Sequence, residues 1–249
     1  MLNKADPYFS KDVVLFPLAF VFVMWIVFWV ESKFHFNFNS YGVYPLTFSG
    51  LRGILFAPFI HSNIEHIFNN SIPIFVLTAA LFYFYRGLRW QVIIYGLLLT
   101  GFATWLIGRP ANHIGASGVV YMLAAFLFFK GILSKQYQLT ALSLVVVFLY
   151  GSLLWYLFPI DPDISWEGHA SGFIVGIVFA FVFKKNTLPI KKFEWQREDY
   201  NPDEDPFMRQ FDEHGNFFER PLESEDDQTE ESEPTPLQIR YYFKKANDE

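Results

Sequence analysis

Three short polar groups hold the residues of this chain that can do chemistry. Ser117 sits in Gly115-Ala116-Ser117-Gly118, with Tyr121 one helical turn further on. His169 opens His169-Ala170-Ser171-Gly172, and Gly176 follows. His66 and Asn70 are four residues apart, on one face of a helix, with His61 just upstream. A serine hydroxyl is a poor nucleophile until a base takes its proton. The candidate bases are His169, His66, His61 and, in a looser loop, His113. Acyl transfer also needs donors for an oxyanion. The Ser117 N–H at a helix start, the Asn70 amide and a His66 ring N–H are of that kind. The glycines leave the Ser117 hydroxyl unshielded, although Gly-Ala-Ser-Gly equally suits close helix packing. Glu167 is the carboxylate nearest His169 in sequence and reads as a loop residue, so a two-residue dyad is the more economical arrangement.

The elements that must position these residues are membrane spans. The chain has 249 residues, 52% of hydrophobic type and 20% aromatic, with a mean hydropathy of +0.22. Its charges are segregated. From Glu194 onward there are 18 acidic and 6 basic residues, and before it 7 and 13, so the net charge of -6 divides into +6 and -12. This pattern describes an apolar core with a soluble acidic extension. Six apolar segments can be drawn: Val13 to Val30, Ile67 to Phe84, Trp90 to Ile107, Ser117 to Phe129, Leu139 to Ile160 and Ala170 to Phe183. The fourth and sixth are short against the ~20 residues of a spanning helix, and fit if protein shelters their outer turns. The first is too long for a signal peptide and is read as a span. The loop from Glu31 to His66 is rich in aromatics, which suits packing on the helices or lying in the membrane interface. With no cysteine, disulfides and thiolate chemistry are excluded.

Six spans put both termini on one side. Ten Lys and Arg, from Lys4 to Lys192, fall on that side and three, Lys33, Arg52 and Arg109, on the other. The excess makes the termini cytoplasmic. The second, fourth and sixth segments then all run inward from the outer face. Their first turns carry His66 with Asn70, Ser117 with Tyr121, and Glu167 to Gly172. The three polar groups therefore share one membrane depth, which packing alone does not require. Small residues at Gly115, Ala116 and Gly118, and at Ala170, Gly172 and Gly176, let the fourth and sixth segments approach closely. That approach would bring His169 within hydrogen-bond reach of Ser117, with Tyr121 stacked on the imidazole. The organisation expected is residues 1–12 as a cytoplasmic N-terminus, 13–185 as the helical core, and 186–249 as an acidic, largely disordered cytoplasmic tail. The Leu237 to Lys245 end reads as a short strand or a membrane-touching motif, and His214 as a tail residue without a role.

Taken together, His61-x4-His66-x3-Asn70, Gly115-Ala116-Ser117-Gly118 with Tyr121, and His169-Ala170-Ser171-Gly172-x3-Gly176 resemble the rhomboid family of intramembrane serine proteases. The resemblance implies an all-α integral membrane protein built on a six-transmembrane-helix bundle. It implies Ser117 as nucleophile and His169 as general base, then acid. It implies His66 and Asn70 at the oxyanion, His61 as a structural residue, Tyr121 supporting His169, and Gly172 and Gly176 at the helix crossing. Substrates would be transmembrane proteins cut near the outer face of the bilayer, in a bacterial inner membrane, with no metal or cofactor and no nucleic acid. The tail would offer a charged surface to a cytoplasmic partner. Where some bacterial members carry Trp-Arg in the first loop, this chain reads Leu51-Arg52.

Three other readings compete, and the intact Ser117 and His169 pair argues against one of them, a catalytically silent relative that only binds membrane proteins. Glu65-His66 is not the His-Glu-x-x-His of a helical zinc hydrolase. A transporter would place its polar residues at mid-membrane and often carries paired half-repeats; here they gather at the outer end and no internal repeat is found.

Overall fold

The computed structural model describes residues 9–162, 164–183, 193, 195, 197–212 and 214–217. Its core is helical: α1 (Asp12–Phe34), α2 (Ile64–Phe84), α3 (Arg89–Ile107), α4 (Ser117–Leu133), α5 (Tyr137–Tyr150) and α6 (Trp166–Val182). The first three are long and apolar enough to cross a membrane. Exposed Leu15, Phe22 and Trp29 on α1, Ile94 and Leu98 on α3, and Leu144 and Phe148 on α5 give the core an apolar outer surface. Such a surface suits lipid rather than water.

The helix ends differ from the sequence segments for identifiable reasons. α2 begins at Ile64, one turn earlier than Ile67, because the Asn63 side chain accepts the His66 N–H at 2.8 Å. That cap brings His66 into the helix. α6 begins at Trp166 rather than Ala170, because Ser165 Oγ accepts the Gly168 N–H at 3.3 Å. Glu167, read from sequence as a loop residue, is therefore in the first helical turn, and it is buried. The fifth segment is not one helix to Ile160. α5 stops at Tyr150 and the chain tightens into a 3-10 turn, Gly151–Leu157.

α4 is the central helix. Met122, Leu123, Phe126 and Leu127 are fully buried in it, and its most extensive packing is on α6. A Cβ placed on Gly172 would lie 2.0 Å from the Gly118 carbonyl oxygen, and one on Gly176 would lie 2.3 Å from that of Met122. Only glycine permits this backbone approach. At the other end of the pair, buried Lys130 of α4 donates to the Phe183 carbonyl just past α6. α1 is tied to α3 by an Asp12–Arg89 ion pair at 2.5 Å.

The loop between α1 and α2 packs on α3 through two single-turn helices, Phe48–Leu51 and Gly53–Phe56. Trp105 Nε1 donates to the Thr47 carbonyl at 2.8 Å, and Val43 and His113 exchange both backbone hydrogen bonds at 2.9 Å. Arg52 donates to the Ser40 carbonyl at 3.0 Å and lies over the Tyr41 ring. Phe34, Phe36, Leu46 and Phe48 of this region remain exposed.

The chain divides into two units, 1–190 and 191–249. In the second, Asn201 caps a 3-10 turn, Pro202–Glu204, and Phe211 and Phe217 form an isolated bridge. The Leu237–Lys245 stretch and most of the acidic run lie outside the described residues.

Candidate active site

Ser117 is the first residue of α4. Gly115 precedes it with φ +100°, which an L side chain rarely adopts, and a Cβ there would also lie 2.6 Å from His66 Nε2. The turn is thus shaped both by its own backbone and by the imidazole pressed against it. His169 lies in the first turn of α6, buried, and the Gly172–Gly118 approach carries it to Ser117. The Ser117 Oγ to His169 Nε2 distance is 2.9 Å.

The other imidazole nitrogen decides which way that hydrogen bond runs. His169 Nδ1 is 2.9 Å from the Tyr156 carbonyl oxygen. A carbonyl only accepts, so Nδ1 carries the proton and donates to it, and Nε2 is left to accept the Ser117 hydroxyl. The Tyr121 ring stacks on the imidazole, centroids 4.2 Å apart and planes at 11°. Sequence reasoning missed the Tyr156 carbonyl. A backbone acceptor has no signature in residue type, and it is available only because the chain leaves α5 as a 3-10 turn.

α2 supplies the opposite wall. His66 is half-buried, its Nδ1 3.3 Å from Ser62 Oγ and its Nε2 facing Gly115. Asn70, buried one turn on, donates one amide N–H to the His66 carbonyl at 2.9 Å. A second N–H remains on the same nitrogen for other use. His61 lies edge-on to His66, centroids 4.9 Å apart, and its Nε2 accepts the Ala116 N–H at 3.4 Å. It links the first loop to the Ser117 turn. Gly115, Ser117, Tyr121, His169 and His66 thus gather at one place. Asn70 and His61 brace His66 and Ala116, while Gly172 and Gly176 set the spacing below.

A sequence model of the Rhomboid domain matches residues 49–186. The chain belongs to the rhomboid family. An uncharacterized protein of Mycobacterium bovis is 34% identical over 177 residues, 66% of this chain and 72% of its own. One of Mycobacterium tuberculosis matches with the same figures, 34% over 177 residues. One of Mycobacterium leprae is 30% identical over 181 residues, 66% of this chain and 69% of its own. The rhomboid match opens inside the first loop, upstream of His61, and closes just past α6, so it contains every residue of the site. Membership makes this rhomboid an integral membrane protein of an intramembrane protease family whose substrates are membrane proteins.

Burial, and then the neighbouring His66, push His61 down to about 3. Burial likewise lowers His113 from its usual value. Both loop histidines are neutral in the folded rhomboid and would charge first in the unfolded chain. The folded values lie below the unfolded ones, so the stability they contribute is present above about pH 6.5 and is lost as pH falls from there towards the folded values. The thermal midpoint of detergent-solubilised protein should therefore drop between about pH 6.5 and 5. Scanning fluorimetry across that range checks it; a flat or rising midpoint would contradict it.

Proposed function

We propose that this protein is an intramembrane serine endopeptidase that cuts transmembrane proteins near the outer face of a bacterial inner membrane, using Ser117 and His169 through an acyl-enzyme. In this reading α1 to α6 are six spans, residues 13–185 are the protease core, both termini are cytoplasmic, and residues 186–249 are a largely disordered tail able to meet a cytoplasmic partner. The observation that carries it is the hydrogen bond from Ser117 Oγ to His169 Nε2 at 2.9 Å, with Nδ1 committed to the Tyr156 carbonyl.

The chemistry follows from that polarity. Ser117 Oγ attacks the scissile carbonyl carbon as its proton passes to Nε2. The imidazolium formed keeps its Nδ1–H bond to Tyr156, and the Tyr121 ring face stabilises its charge. The negative oxygen is met by the Ser117 N–H at the open end of α4 and by side-chain donors from His66 and Asn70. Collapse breaks the C–N bond, and His169 returns its proton to the leaving amine. A water, deprotonated by His169, then hydrolyses the acyl-serine. The base is backed by a neutral carbonyl in place of a carboxylate.

A fluorophosphonate probe tests the nucleophile directly. Peptide mapping should find the adduct on Ser117, with labelling unaffected by a chelator. An adduct on another serine, or none, would overturn the assignment. Asn70→Ala should lower kcat by about 10²-fold with a smaller change in KM, since an oxyanion donor acts chiefly in the transition state. An effect confined to KM would remove Asn70 from the oxyanion.

A further inference from the structure

The turn between α3 and α4 carries two residues, Arg109 and His113, that the proposed reaction does not use, yet both reach across to the start of α6. His113 is buried, with Nδ1 2.6 Å from Ser165 Oγ and Nε2 3.0 Å from the Arg109 carbonyl oxygen. The Arg109 carbonyl only accepts, so the His113 proton is on Nε2 and Nδ1 accepts. Ser165 Oγ already accepts the Gly168 N–H as the α6 cap, and its hydroxyl proton is free to go to His113. The bonds therefore run in one direction: Gly168 N–H to Ser165, Ser165 O–H to His113, His113 Nε2–H to Arg109.

Arg109 closes the same junction from the other side. Its Nη2 donates to the carbonyls of Pro162 and Ile164 at 2.6 and 2.9 Å, its backbone N–H donates to Glu167 Oε1 at 3.3 Å, and its guanidinium faces Glu167 Oε2 at 3.7 Å. Glu167 and Arg109 are the charged groups that act on His113, with opposite signs. The same turn then runs on to the Ser117 end of α4, fixed by His113 to Val43 and by Gly115 N–H to the Ala57 carbonyl at 2.9 Å. One short segment thus holds the starts of both helices that meet at Ser117 and His169.

We infer that His113 is a positioning residue: through the Ser165 cap it fixes the first turn of α6, and with it the reach of His169 to Ser117. The inference rests on the dyad proposed above. Its effect is on alignment, so it should appear in turnover rather than in substrate affinity, because a displacement of a fraction of an ångström already weakens a near-attack geometry. Asparagine can place an acceptor near the Nδ1 position, and glutamine can place a donor near the Nε2 position. The two variants therefore keep opposite halves of the relay.

The test uses the full chain with a single-span substrate and, separately, a fluorophosphonate. His113→Ala and His113→Gln should each lower kcat and the labelling rate about tenfold with little change in KM, and His113→Asn should recover most of both. The thermal midpoints of the Asn and Gln variants should be alike, since each retains one bond. Equal activity of Asn and Gln, activity that follows the midpoint across the three variants, or a change confined to KM would overturn the positioning role. Ser117→Ala separates the two ideas. Labelling that survives it removes the dyad itself. Labelling that depends on Ser117 but is unchanged in the His113 variants removes only this inference.

Discussion

Replacing Ser117 by alanine is expected to cut the turnover of a single-span substrate by roughly 10⁶-fold, and replacing His169 by alanine to do the same. The size follows from the shared step. Without Oγ there is no acyl-enzyme, and without Nε2 there is nothing to take the serine proton, so either loss removes the same pathway. The double variant should consequently be no slower than either single one, since residues acting as a unit are strongly non-additive. Both side chains sit at a helix start whose packing rests on neighbouring glycines, so the thermal midpoints should move little. Cleavage followed in proteoliposomes, with the midpoint as control, checks all three statements. Single variants whose effects multiply would mean that Ser117 and His169 work in separate steps.

The second large effect is predicted for a residue with no polar atom in its side chain. Gly172→Ala adds one methyl group, but its carbon would stand 2.0 Å from the Gly118 carbonyl oxygen and 2.9 Å from the Gly118 carbonyl carbon. Backbone cannot yield as a side-chain tip can. α4 and α6 must separate by roughly 1.5 Å to restore van der Waals contact. Overpacking of this kind costs about 1–3 kcal/mol. Activity should fall further than stability suggests, about 10²-fold, because the separation lengthens the Ser117–His169 hydrogen bond directly. Gly151→Ala is the control, since its Cβ would meet only Val147 at an ordinary 3.5 Å. Gly172→Ala at wild-type activity would show that the crossing tolerates a methyl group and does not set the distance between the helices.

Side-chain types made part of this legible beforehand. The Gly-Ala-Ser-Gly and His-Ala-Ser-Gly patterns, with the Lys and Arg count, put Ser117 and His169 at one depth, and the two side chains do meet. The small residues of both patterns also pointed to a close helix pair, and α4 packs most extensively on α6. The α2 and α6 starts were misplaced by hydropathy because their first turns are polar. Asn63 and Ser165 are ordinary N-cap residues, and reading them as caps would have drawn His66 and Glu167 into their helices. Other features were beyond side-chain reading. The Tyr156 carbonyl is backbone, and the 3-10 turn Gly151–Leu157 that carries it lies inside an apolar run that hydropathy reads as one span. His113, a loop residue by sequence, shows its contacts only once loops distant in sequence are folded together.

The partner that orients His169 belongs to the main chain, and this changes how the site can vary over time. An orienting carboxylate would be lost through a single codon change. The oxygen at position 156 survives any replacement of the tyrosine, whose own side chain is partly exposed. Selection can therefore act on the course of the 151–157 turn rather than on any one residue in it. Sequence drift there would leave the base oriented while the surface around it diversifies, and a search for an invariant third residue among relatives would find nothing to align.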